Sequence, residues 1–531
     1  MTIGRFVTLA LAAVCAATLV AQAPPQAQVA RYDIIIRHGR VLDGSGNPWM
    51  RADVAITGDR IAAVGALGAA TAAREVDASG LHVAPGFIDT HTHAGPGMAT
   101  AALAPAVPQL RQGITTIFIN PDGGGEIDIA AQRAALLKNG LGVNVGQLVP
   151  HGAARQRVMG MADRHAEPHE IARMKDLVRA GMAEGAWGLS AGPFYVPGSY
   201  AEPREYVEVA KAAAEFGGVF QSHIRDESDY SVGVLASVDE LITVAREAKL
   251  PAIVTHIKVL GPGVWGFSTP MIRRIEQARA EGLEVWADQY PYEASATGLV
   301  AALMPAWAQA GGRGELRKRL ADPPTRARIR AEMAENLRRR AGAERIQFRR
   351  VVEDPSIEGL TLAHVARDRN TDPVDVAIAL IEAGSPAIVS FGMLEDDVRA
   401  FMKQPWTMTA SDGDLVPMGE GVPHPRVYGT FARKIRRYVV EEHVVRLEDA
   451  VRSMTSLPAQ VFRMKDRGVL RAGAFADVVV FDLARVCDTA TYDKPHQLAE
   501  GMVHVFVNGR AAIADGALTT ERAGRVLRRH E

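Results

Sequence analysis

Between residues 114 and 413, short apolar runs alternate with stretches of helical pattern, and this rhythm constrains the fold more than any other property of the chain. The strand candidates are ITTIFIN (114–120), LGVNVGQLV (141–149), GAWGLS (185–190), GVFQSH (218–223), PAIVTH (251–256), LEVWADQY (283–290), PAIVSFG (386–392) and WTMTASDG (406–413). Segments such as EYVEVAKAAAEFG and TPMIRRIEQARAEG separate most of them. Strand–helix alternation over this length predicts an α/β fold, a parallel sheet closed as a (β/α)8 TIM-like barrel. With PGFIDTHTH (85–93) as the opening strand, nine candidates compete for eight places. Either GAWGLS or PAIVSFG is therefore expected to lie outside the barrel.

The flanks read differently. YDIIIRHGRVLDGSG and ADVAITGDRIAAVG near the start, and GVLRAGAFADVVVFDLARV and MVHVFVNGRAAIADG near the end, alternate apolar and polar residues and break at glycines, as small sheets do. Residues 32–84 and 466–531 are expected to combine into one small β-sandwich around the barrel of 85–465. Residues 304–350, rich in Arg and Ala, carry no apparent strand and read as a helical insertion beside the active face. Residues 1–23 have the form of an export signal: Arg5, an apolar Phe6 to Val20, then Ala21-Gln22-Ala23. The apolar run is short for a membrane span. The expected location is therefore outside the cytoplasm, periplasmic or secreted, with no membrane association beyond the signal.

Bulk properties exclude several function classes. A net charge of -1 in 531 residues points to no nucleic-acid or anionic-membrane partner. Cys15 falls in the leader and Cys487 stands alone, so neither a disulfide framework nor a CxxC metal site is available.

The chemistry gathers at the C-terminal ends of the strand candidates, where barrel sites are built. His91 and His93 end the first, two apart and so on one face of a strand. Asp122 follows the second, His223 and His256 end GVFQSH and PAIVTH, and Asp412 ends WTMTASDG. Four imidazoles and two carboxylates in such positions suit zinc or a similar divalent ion, one or two in number. The pattern predicts a metal-dependent hydrolase.

PGFIDTHTH, with HIK, YPY, SDG and HPRVYGTF, resembles the amidohydrolase superfamily and, within it, the N-acyl-D-amino-acid deacylases. The likeness runs from about residue 32 to 525 and includes VPHGAARQRVMG, GLSAGPFYVPGSYA, SHIRDESD and DRGVLRAGAFADVVVFD. It implies that His91 and His93 ligate one metal and that His223 and His256 hold a second. It also implies that Asp412 is both ligand and proton carrier. The chain departs at one point: the family's bridging cysteine is replaced within Asn120-Pro121-Asp122-Gly123, where Asp122 can bridge as a harder ligand.

The resemblance also implies a small-molecule substrate, an N-acyl-D-amino acid or a dipeptide ending in a D residue. Lys258, Tyr290 and Arg426 are the expected substrate-binding residues, with His151 in support. A metal-acidified water would attack the amide while Asp412 carries its proton to the leaving nitrogen. Two other readings are kept: a cyclic amidase of hydantoinase or dihydroorotase type, although GAWGLS lacks the lysine usual there, and a non-catalytic binding protein on the same scaffold.

Overall fold

The computed structural model describes Thr2 and residues 31–530; the export signal expected over residues 1–23 lies outside the described residues. Eight short strands run parallel in chain order: Phe87–Asp89, Ile114–Ile119, Asn144–Gln147 continued by Val149–Pro150, Gly188–Ala191, Val219–Ser222, Ala252–Val254, Val285–Gln289 and Thr407–Thr409. Each pairs with the next in the series. At the third strand, the Trp187 amide donates to the Gln147 carbonyl (2.9 Å), carrying the ladder onward. The ring closes beyond the last strand, where Gly413–Asp414 pairs in parallel with Thr92–His93 and the Asp412 amide donates to the His91 carbonyl (2.9 Å).

These strands are buried on both faces, as parallel strands under helices must be. Ile114–Ile119 is buried at every residue. The covering helices are amphipathic; Pro203–Ala214 turns Tyr206, Val209, Ala210 and Ala213 inward. A reciprocal capping box of Glu167 and Glu170 starts helix Pro168–Ala183.

GAWGLS supplies the fourth barrel strand, and PAIVSFG is the candidate that lies outside. Ala387–Ser390 is the centre of a three-stranded antiparallel sheet, between Ser295–Gly298 and Ile346–Arg350. That sheet belongs to a unit inserted between the seventh and eighth barrel strands. Its own core includes Leu299, Ile329, Met333, Phe348, Leu362, Ile378 and Ile388. The strandless helical insertion expected over 304–350 is thus corrected: Ile346–Arg350 is a strand, and the unit extends well past it. IQFRR escapes notice because two of its five side chains are arginines at the end of an arginine-rich helical run. Its Ile346, Gln347 and Phe348 are nonetheless buried.

The two chain ends meet. His82–Pro85 pairs antiparallel with Val478–Phe481, which joins strands from both chain ends into one nine-stranded sheet. Its strands enclose Ile36, Val54, Ile56, Val83, Val478, Val480 and Phe506. No helix among the described residues is long and apolar enough to cross a membrane.

A buried polar knot fastens this sheet to the barrel. Asp477 pairs with Arg467 and accepts from the Asn508 amide (2.8 Å), while Asn508 Nδ2 donates to Asn144 Oδ1 on the third barrel strand (2.8 Å). Removing one partner of a buried ion pair leaves the other charge uncompensated. Asp477→Ala is expected to lower unfolding free energy by about 3 kcal/mol, measured by urea denaturation; a change within about 0.5 kcal/mol would show that the knot is dispensable.

Candidate metal centre

Asp122 is the middle of the site. Its Oδ2 lies 3.4 Å from His91 Nε2 and 3.5 Å from His93 Nε2, and its Oδ1 lies 3.6 Å from His256 Nε2. Asp412 Oδ1 faces the same pair of imidazoles, 3.1 Å from His93 and 3.5 Å from His91. The donor atoms of His91, His93, Asp122 and Asp412 all fall within 4.8 Å of one another, as do those of His223, Glu227 and His256. The six ligands expected from sequence are therefore brought together in two adjoining groups. Glu227 is an addition that sequence reading missed. The signal available was its place four residues after His223, in SHIRDE.

Local backbone geometry aims these groups. Asp122, His256 and Asp412 all have left-handed backbones (φ 55°, 36° and 50°), a conformation costing non-glycine residues about 1 kcal/mol or more. Buried acids hold those turns in place. Asp288 accepts from the His256 amide through Oδ1 (2.5 Å) and from Thr90 Oγ1 and Gln221 Nε2 through Oδ2 (both 3.1 Å). Asp89 accepts from the Ser411 and His91 amides, and burial pushes its carboxyl up to about 7. Gly123, at φ 71°, has no room for a side chain: a Cβ there would lie 3.0 Å from the Gly152 amide nitrogen and 3.1 Å from that of Gly192.

The electrostatics suit a cation. His91 Nδ1 and Nε2 and Asp122 Oδ1 are buried without a hydrogen-bond partner, an arrangement that is expensive unless something positive meets their lone pairs. Burial lowers His223 to about 4, so its imidazole is neutral at pH 7. Its Nδ1 donates to the Ile224 carbonyl (2.7 Å), which leaves Nε2 as the free donor atom. Burial would raise the carboxyls of Asp122 and Asp412, but their charged neighbours prevail and hold both well below the usual range. For Asp412 the chief neighbour is Arg426, whose NH1 lies 2.6 Å from Oδ2. The residues present fit a divalent ion of the zinc class, with imidazole and carboxylate ligands and one carboxylate facing both groups.

A model of the amidohydrolase family matches residues 74–513. The chain belongs to that family. Within it, this amidohydrolase is 36% identical to an N-acyl-D-glutamate deacylase of Alcaligenes xylosoxydans xylosoxydans, over 94% of this chain and 97% of the relative. It is 35% identical to a D-aminoacylase of the same organism, over 94% and 98%. The crystal structure of an N-acyl-D-glutamate deacylase from Bordetella bronchiseptica, complexed with zinc and a phosphonate mimic of the tetrahedral intermediate, superposes with a TM-score of 0.80. It is 34% identical, over 94% of this chain and all of the other. A D-hydantoinase superposes at 0.56 with 15% identity, a likeness of fold alone.

The remaining residues of the amidohydrolase site lie around its mouth. A cavity of about 620 Å³ opens beside His93 and Asp122 and is lined by Tyr195, Arg349 and Arg426. Arg349 comes from the inserted sheet and pairs with Asp414 (2.5 Å), so the insertion reaches the site. Arg426 packs over the Tyr290 ring, its guanidinium carbon 4.7 Å from the ring centroid, and its Nε has no hydrogen-bond partner. Tyr290 is buried beside Lys258, whose ammonium donates to Glu227 (2.6 Å) and lies 2.7 Å from His256 Nδ1. Phe194 stacks on His223 and Tyr195 meets its edge; neither stood out in the sequence. His151 is placed apart from both metal groups, its Nε2 against Glu205 (3.0 Å). The helix it begins borders the cavity through Gly152, Ala153 and Gln156, and its Ala153 amide donates to the Gly123 carbonyl (3.1 Å).

Two substitutions separate the ligand groups. Asp122→Ala is expected to weaken zinc at both, and Glu227→Ala only at the His223–His256 group, each at least tenfold by competitive chelator titration. Unchanged affinity in Asp122→Ala would refute the bridging geometry.

Proposed function

We propose that this chain is a metal-dependent N-acyl-D-amino-acid deacylase, hydrolysing the linear amide of an N-acyl-D-amino acid or of a dipeptide with a C-terminal D residue. One observation carries the reading: a single carboxylate, Asp122, faces two histidine groups while Asp412 stands at one of them. This sits in a chain matched over 94% of its length by deacylases of N-acyl-D-amino acids. Zinc is the ion the donor set favours.

When bound, the ion lowers the pKa of water and withdraws electron density from the scissile carbonyl. The protein's part is to place and move protons. Asp412, kept ionised by Arg426, accepts the proton of the attacking water and returns it to the departing amine nitrogen. Arg426, with Nε unengaged, and Tyr290 beneath it receive the substrate carboxylate; a guanidinium fork suits that group. Lys258 holds Glu227 and thereby His256. The half-buried rings of Phe194 and Tyr195 wall this side of the site and shield the reacting amide from water. The leader, with its basic start and apolar run, supports action outside the cytoplasm, where such acylated amino acids and peptide fragments are met.

The wild-type protein should hydrolyse N-acetyl-D-amino acids in preference to the L isomers, lose that activity on chelation and regain it with zinc. Asp412→Asn should reduce kcat by at least 10² even when assayed at saturating zinc, which separates its proton transfer from its place beside the metal. Hydrolysis of hydantoins in place of linear amides would favour the cyclic-amidase reading; metal-independent ligand binding without turnover would favour the binding-protein reading.

A further inference from the structure

A second charged cavity, remote from the reaction, lies at the opposite end of the eighth barrel strand from Asp412. It measures about 290 Å³ and is lined by Lys403, Lys434, Arg446, Arg452, Thr407 and Ser453. Asp449 also borders it, but Arg446 already holds both of that residue's oxygens (2.8 and 2.9 Å). The balance of the lining is strongly positive.

Two of the lining groups are unusual for a protein interior. Lys434 is only 4% exposed. Its ammonium donates to Thr409 Oγ1 (2.9 Å) and Ser453 Oγ (2.8 Å), and no carboxylate of the described residues pairs with it. Burial, with no charged partner to oppose it, lowers this amine to about 7. Thr407, 1% exposed and on the same wall, has a buried Oγ1 with no hydrogen-bond partner. A buried cation without a counter-ion and an unpaired hydroxyl each raise the free energy of the folded chain. Both are answered by one ligand: an anion that accepts several hydrogen bonds.

We propose that this cavity binds a small tetrahedral oxyanion of the phosphate or sulfate class, held by Lys434 and Arg452 with Thr407 as a further donor. Charge-assisted hydrogen bonds from ammonium and guanidinium groups to such oxygens are the strong kind. The arginine is anchored for this role, since its NH1 donates to the Pro405 carbonyl (3.0 Å) and leaves the rest of the fork available. Lys434 joins the anion to the barrel through Thr409. Because the ligand binds only the folded chain, it stabilises that state by mass action. The site stands independently of the deacylase reading.

The test is thermal melting and calorimetric titration of the full chain with inorganic phosphate, against sodium chloride of equal ionic strength. The wild type should show a saturable rise in Tm of about 2 °C. The same rise should appear in Asp122→Ala, whose weakened metal binding controls for phosphate taken up at the metal centre. Lys434→Met should raise the half-saturating phosphate at least tenfold, and Thr407→Val at least threefold. Should Lys434→Met fail to fold, Arg452→Met at the cavity's edge carries the same expectation as the lysine variant. No saturable response in the wild type, an unchanged response in the lysine or arginine variant, or a response lost only in Asp122→Ala would overturn the proposal.

Discussion

A carboxylate buried among imidazoles persists only if its charge is met from every side it faces, and the centre of this protein is arranged around that condition. Asp122 turns one oxygen to His91 and His93 and the other to His256. The strained turns at Asp122, His256 and Asp412 follow from it, because a side chain at a strand end reaches the axis of the barrel only when the backbone bends sharply. The buried acids behind them, Asp89 and Asp288, hold amides rather than ligands, and without their hydrogen bonds those bends would relax. Charge at the middle therefore dictates conformation at the rim, and conformation dictates which polar groups lie in the layer beneath.

Much of this was legible in the sequence because it rests on two strong local signals. Strand–helix alternation points to the barrel, and histidine and aspartate at strand ends point to the candidate ligands that the fold brings together. What escaped notice did so for identifiable reasons. Glu227 lies in a loop, where spacing carries no periodicity, and only its contact with His223 and His256 in three dimensions reveals it. Ile346–Arg350 is a strand by tertiary pairing, against a composition that reads as helix. PAIVSFG, as apolar as any barrel strand, is sorted out of the barrel only by its partners. His151, which shares a motif with the family, turns toward Glu205 because its helix points it there.

The insertion changes how the site meets its surroundings. It has a core of its own, so it is a folded unit carried on the barrel rather than a loop tightened over it. Through Arg349 and Asp414 it is tied to the segment directly after the last barrel strand. The wall of the cavity is thus built partly from the catalytic scaffold and partly from an added sheet. Arg349 on the added side lines the cavity and is not among the candidate ligands, so the two walls are built from separate parts of the chain.

The pairing of His82–Pro85 with Val478–Phe481 bears on how the chain is made. The early strands have no partner on that edge until a segment about 400 residues later is available, among the most distant contacts the chain can form. During synthesis the barrel can assemble first, while the N-terminal strands wait with an open edge of unsatisfied amides and carbonyls. Val478–Phe481 closes that edge, and Asn508, in the turn after the next strand, fastens the same sheet to the barrel through Asn144. Completion of the sheet thus depends on the C-terminal segment, and a chain cut short before Val478 would leave His82–Pro85 without its partner on that edge.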